Sequence, residues 1–193
     1  TQNSDRIYAY QGGTGLVSMR WDGTDRREHV HVRGGGTGNG PGPSASSIVM
    51  APQGDQALAQ VGNHLYVVTV PRGVGSDAPP ISVANPDNAS FPAMQLTDIG
   101  GQFPAWGASG REVHWALGNA WFVADLDAAE SFADSVAAAR DREDDEEEDE
   151  VEEEDEDVDT PDQYQPEEHR IRISVDRDIP RGVVALTGAR IVT

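Results

Sequence analysis

Chemistry in this chain is sought first in its histidines. His29 and His31 bracket Val30. On an extended strand a one-residue gap puts both imidazoles on one face, where two neutral ring nitrogens can share a divalent cation. No third ligand follows at a recognisable spacing. The pair sits between the polar turn Asp22-Gly23-Thr24-Asp25 and a glycine run, so it reads as two surface histidines on the outer, edge strand of a sheet. Such a pair holds a stray divalent ion only weakly. The turn itself lacks the alternating oxygen ligands and final Glu of a calcium loop. The run from Gly34 to Gly40 has neither the Lys-Ser/Thr ending nor the following helix of a phosphate cradle, and reads as a loop. His114 and Trp115, with Trp106 and Trp121, form an aromatic set that fits packing between sheets better than a binding patch. His64 and His169 stand singly beside turns or strand ends. No Ser-His-Asp or paired-carboxylate spacing is present. No residue of this chain is therefore expected to serve in catalysis, cofactor binding or metal binding.

Composition narrows the partners. The formal charge is -20, but the fifteen Asp and Glu between Glu143 and Asp159 carry most of it, leaving about -5 elsewhere (-20 plus 15). All fourteen basic residues are Arg, scattered along the chain. A phosphate backbone needs a clustered basic face, so nucleic acid is set aside. Without cysteine there is no disulfide, thiolate metal site or Cys nucleophile. No apolar run approaches the roughly 20 residues that span a bilayer. The first residues, Thr1 to Ser4, show neither an initiator Met nor a leader pattern, so the expectation is that the natural start lies upstream.

The elements that would position any site follow from an internal repeat. Residues 51–70 align without a gap on 107–126 at an offset of 56, matching Gly54 with Gly110, Gly62 with Gly118, Asn63 with Asn119 and Val67 with Val123. Each copy reads as a turn, a strand, a Gly-Asn turn and a second strand rich in aromatic and β-branched residues. Ser47 to Met50 and Phe103 to Trp106 add a strand before each hairpin. A looser copy opens the chain, with strands at Arg6 to Gln11, Leu16 to Trp21 and Glu28 to Val32. The Gly/Pro segments 34–44 and 71–92 read as loops between strands. After Leu126 the Ala-rich stretch Asp127 to Arg142 predicts a short helix, and the like charges from Glu143 to Asp159 predict disorder. This acidic run reads as a solvated spacer rather than a weak sink for cations or basic partners. His169 to Val175 alternates as a half-buried strand does. Gly182 to Thr193 reads as two further short strands broken at Thr187-Gly188.

The runs GLVSMRWDGTDRREHVHV (15–32), QLTDIGGQFPAWGASGREVHWALGNAWF (95–122) and HRIRISVDRDIPRGVVALTGARIVT (169–193) resemble bacterial proteins in which a TolB-like, WD40-like β-propeller precedes a metal-dependent amidohydrolase domain. The resemblance implies an all-β chain. Residues 1–126 would form about two and a half four-stranded blades, 127–163 a short helix and the acidic insert, and 164–193 a last propeller strand and the first strands of the hydrolase's small β-sandwich. The barrel would follow Thr193. Its metal, a divalent ion such as zinc, and its general base would belong there, so none is carried onto this chain. The implied function is a non-catalytic propeller fragment of an enzyme that hydrolyses a C-N bond, periplasmic or secreted, with the remaining blades and barrel as its partner. The alternative is a stand-alone TolB-like propeller that binds a protein in the cell envelope. The family's Ser-Pro-Asp-Gly turn is replaced here by Ala51-Pro52-Gln53-Gly54 and Gly107-Ala108-Ser109-Gly110, which lack the Asp acceptor. Two and a half blades leave sheet faces uncovered, so low stability and a tendency to associate are expected.

Overall fold

The computed structural model describes residues 5–36, 40–71, 78–146 and 164–177, with single positions 179, 182, 185, 187, 188 and 190 beyond them. The described residues form three four-stranded sheets and one α-helix, and no sheet closes into a barrel. The first sheet contains β1 (Arg6–Gln11), β2 (Gly15–Arg20), β3 (Arg27–Arg33) and β7 (Pro80–Ser82), in that order. The second runs β4 (Ser47–Met50), β5 (Gln56–Val61), β6 (His64–Thr69), β8 (Ala93–Gln95). The third runs β9 (Gln102–Trp106), β10 (Glu112–Leu117), β11 (Ala120–Asp125), β12 (Glu167–Arg170). Helix α1 (Leu126–Glu146) lies between β11 and β12 in the chain.

The two repeat copies form the hairpins β5–β6 and β10–β11, which are paired throughout their length. Each is closed by two residues, and the first of them lies in the left-handed region, Gly62 at φ +61° and Gly118 at φ +60°. A turn of this kind with Gly leading matches the right-handed twist of the flanking strands. The Gly-Asn order therefore specifies the register of both hairpins.

The sheets stack face to face, with the second in the middle. Its strands alternate between two cores. Ala57, Ala59, Tyr66 and Val68 pack with Leu16, Val30, Val32 and Ile81 of the first sheet. Leu58, Leu65 and Val67 pack with Val113, Trp115 and Ala124 of the third. The near-continuous apolar run Leu65-Tyr66-Val67-Val68 is what a strand buried on both faces requires. The Trp106 indole N–H adds a polar tie between sheets by donating to the Val49 carbonyl at 2.9 Å.

Several expectations change. The Gly/Pro composition of 71–92 predicts a loop, but the segment contains β7 and a short 3-10 turn at Pro86–Asn88. β7 pairs parallel to β3, so the chain builds three strands of the second sheet, returns to the first, and then completes the second with β8. The Ile81 side chain, fully buried in the first core, is the physical reason for the return. This parallel strand departs from an all-antiparallel meander. β3 is consequently an interior strand, flanked by β2 and β7, and not the edge expected from its polar sequence. The helix begins at Leu126 and runs into the acidic stretch as far as Glu146, so Glu143 to Glu146 are helical rather than disordered. The rest of the acidic run, 147–159, lies outside the described residues. The strand expected from His169 to Val175 ends at Arg170. Ile171 still donates its amide to the Asn119 carbonyl at 2.8 Å, but Ile171, Ile173 and Val175 are 55%, 83% and 86% exposed, so among the described residues their alternation has no buried side. Most of 182–193, where two strands were expected, lies outside the described residues.

The middle sheet makes a direct prediction. Leu58 is 2% exposed and contacts the third sheet. Leu58→Ala is expected to lower unfolding free energy by about 2–5 kcal/mol in urea titration, the range for a deleted core leucine.

Candidate functional site

Among the described residues a cleft of about 330 Å³ is lined by aromatic side chains, and a wider, more open hollow of about 510 Å³ lies beside Trp121 and Ile171. The aromatic cleft opens where the second and third sheets diverge. Trp115 and Phe122, paired across β10 and β11, stack at 5.5 Å and 8° and form its floor. The connection after β8 supplies one wall, with Leu96, Asp98 and the exposed Ile99. Tyr164 and the segment entering β12 supply the other.

Local packing explains why the cleft holds its shape. Thr97 is buried, and its hydroxyl accepts the Leu65 amide at 3.0 Å while its carbonyl accepts the Gln95 side chain at 2.7 Å. Gly101 then passes so close to the aromatic floor that a Cβ would lie 2.7 Å from Trp115 and 2.9 Å from Leu65. Only glycine lets the backbone through. Tyr164 is placed by its hydroxyl, which accepts the Asp125 amide at 3.1 Å, and by its ring against Phe132 of α1 at 6.4 Å. The helix starts there because the Asp125 carboxylate caps the amides of Asp127 and Ala128 at 2.8 and 3.1 Å. Arg111 ties that first turn to the sheets by donating to Asp127, Glu130 and Gln56. Its two carboxylate partners raise the guanidinium pKa, Glu130 most.

Chemically the cleft suits a flat apolar group with a polar edge. The aromatic floor offers stacking, and the rim carries Asp98 with the Glu168–Arg170 ion pair at 2.5 Å. Nothing on its lining pairs a nucleophile with a base. Among the described residues no three His, Cys, Asp or Glu side chains come close enough to hold a metal ion. No helix of the described residues is long and apolar enough to cross a membrane.

The sequence-derived candidates fall elsewhere. Leu16 pairs with Val30 but Val17 pairs with Glu28, so β3 carries one extra residue, a bulge at His29. The bulge re-aims that side chain. His29 turns toward Ser18, 2.6 Å from its hydroxyl, and toward the Tyr8 ring at 5.3 Å. His31 lies opposite the buried Val30 and Val32 on the other face. The two imidazoles expected on one face are thus separated, and the metal-like spacing is lost. Arg6, only 8% exposed, completes this polar cluster by donating to Ser18 Oγ at 2.8 Å and to the Asp25 carboxylate at 2.6 Å. Ser18 is fully buried, which denies substrate access to the Ser18–His29 pair. Arg27 and Arg6 hold Asp25 below the usual carboxylate range. Burial, then the charges of Arg6 and Arg27, push His29 below its ordinary value. Asp22 closes its turn by accepting the Thr24 amide and hydroxyl at 2.9 and 2.7 Å, which lowers its pKa.

Of the aromatic set, Trp115 and Trp106 pack between sheets as expected. His114 and Trp121 do not. They stack on each other at 5.6 Å on the outer face of the third sheet. His64 bonds the Thr97 carbonyl at 3.1 Å, and His169 pairs with Glu167 at 3.2 Å on the surface. Of Gly34 to Gly40, residues 37–39 lie outside the described ones, while Gly34 donates to the Pro43 carbonyl in a loop. Sequence reasoning missed the cleft residues Ile99, Phe122 and Tyr164. The paired Gly100-Gly101 after Thr97-Asp98 was the available signal, because two glycines together mark a close backbone approach.

Comparison with models of known protein families, with curated proteins and with solved structures found no match.

Two outcomes are expected. An apolar naphthalene-type fluorophore should bind saturably at the cleft, and Ile99→Asp at its exposed rim should weaken it about tenfold, or ~1.4 kcal/mol. Stability should also respond to acid through His29. Its folded pKa lies below the ordinary 6.5, so the unfolded chain takes up the proton first as pH falls. The melting temperature should be maximal above pH 6.5 with respect to this group and decline toward its folded pKa. His29→Gln should flatten that decline without abolishing it, since burial shifts His31 the same way.

Proposed function

We propose that the three sheets are successive blades of a TolB-like, WD40-like β-propeller region, of the kind that precedes a metal-dependent amidohydrolase domain. In this reading the region breaks no bond itself. It shapes access to the hydrolase barrel or holds a partner, in a periplasmic or secreted protein. The parent's chemistry would be hydrolysis of an amide or cyclic amide by metal-activated water, performed by residues outside this chain.

The observation that carries the reading is the face-to-face stack in register with the sequence repeat. The same hairpin recurs at an offset of 56, and the middle copy is packed on both faces. Strands β4, β5, β6, β8 and then β9, β10, β11, β12 follow one another across their sheets as antiparallel neighbours, the order of a blade. The parallel β7 is the departure. A second reading, a stand-alone propeller module that binds a protein in the cell envelope, draws on the aromatic cleft.

Sequencing the gene beyond codon 193 separates the two. An in-frame continuation with a His-x-His strand and later barrel ligands is the expected result. A stop codon there, with further blades encoded upstream, overturns the hydrolase reading in favour of the interaction module.

A further inference from the structure

Three charged side chains line the aromatic cleft, Asp98, Glu168 and Arg170. Glu168 and Arg170 neutralise each other through their 2.5 Å ion pair. Asp98 is left over. It is exposed, and its carboxylate takes no hydrogen bond or ion pair from the described residues. The backbone that carries it is fixed on both sides, because the Thr97 hydroxyl accepts the Leu65 amide at 3.0 Å and the Gly101 amide donates to the Asn63 carbonyl at 2.8 Å. The cleft therefore keeps one uncompensated negative charge at its rim.

The rings beside that charge are of a kind that takes a cation. Of the two stacked floor rings, Trp115 is 2% exposed and Phe122 is partly exposed. Tyr164, whose hydroxyl accepts the Asp125 amide, lines the opposite wall and is also partly exposed. The face of an aromatic ring carries partial negative charge, so it attracts an ammonium or guanidinium group and offers an anion nothing comparable. The sequence adds a field of longer range. Eight of the twelve residues before Tyr164, 152–163, are Asp or Glu, and the chain as a whole carries a formal charge of -20. Such a field concentrates cations and repels anions.

We infer that the cleft binds a small organic cation, an ammonium or guanidinium group on a compact apolar body, with the apolar part on Phe122 and Tyr164 and the charge toward Asp98. The volume of about 330 Å³ stands near the lower end for small-molecule sites, which limits the occupant to a compact group. An inorganic divalent cation would need several oxygen ligands, and among the lining residues Asp98 supplies the single free carboxylate. This binding role goes beyond the blade reading and depends neither on it nor on the hydrolase attribution.

Calorimetric titration of the full chain tests it with three compounds that share one ring, benzyltrimethylammonium, benzyl alcohol and benzenesulfonate. The cation is expected to bind about tenfold more tightly than the alcohol, and the sulfonate more weakly than either. Asp98→Asn, at an exposed position, should weaken the cation about threefold to fivefold and leave the alcohol unchanged, while Asp98→Glu should keep most of the affinity. Phe122→Leu should weaken the cation more than the alcohol. If that substitution also lowers the urea midpoint, the Asp98 pair decides. Equal affinity for cation and alcohol overturns the inference. Cation binding that Asp98→Asn leaves unchanged overturns it too, because the ligand would then sit on the acidic run. Absence of binding by all three compounds overturns both the inference and the cleft as a small-ligand site, and leaves the sheet stack and the blade reading as they stand.

Discussion

Apolar side chains on both faces of the middle sheet constrain everything around it. Each of β5 and β6 sends alternate residues to opposite sides, and their apolar side chains are buried on both. Burying a valine or leucine contributes about 1.5–3 kcal/mol relative to leaving it exposed, so a middle sheet with one bare face would forfeit several such terms. The first and third sheets must therefore lie flat against it. Their positions set the two cores, the line along which the second and third sheets diverge, and thus the aromatic cleft.

Around this stack the chain takes routes that a simple meander would not. β7 leaves the second sheet, pairs with β3 in the first, and returns as β8, which interlocks the two sheets. The third sheet closes differently. Its last strand arrives only after α1 and the acidic run, and Tyr164 anchors that arrival against Phe132 and the Asp125 amide. In the sequence the dense negative charge thus falls between two neighbouring strands of the third sheet. The Arg111 contacts to Asp127, Glu130 and Gln56 keep the start of the helix on the sheets. These exposed pairs are individually weak, and their combined role is to orient the helix rather than to stabilise the fold.

Legibility differed between hairpins and sites. The β5–β6 and β10–β11 hairpins could be read from the chain because a Gly-Asn turn and period-two apolar residues are local properties. β7 could not, since three residues next to prolines become a strand only through a distant partner. His29 and His31 show the same limit. Their spacing implies one face, but an extra residue in β3 is a property of its pairing with β2, and that bulge turns the two rings apart. The cleft was invisible for a related reason. Its walls come from the segments around residues 96–100, 115–122 and 164–170, which no local pattern joins.

By itself the amino-acid order determined the β-rich class, the repeated hairpin, the helix after Leu126 and the segregation of charge into one run. Each depends on side-chain periodicity, turn conformation or like-charge repulsion within a short window. Only the tertiary structure decided which faces are covered. Trp115 and Trp121 lie six residues apart on the paired strands β10 and β11, yet one forms the floor of a cleft and the other an outer surface. The alternating run after Arg170 has the pattern of a half-buried strand and no buried side among the described residues. Burial is a property of what packs against a residue, and that is set by contacts between segments far apart in the chain.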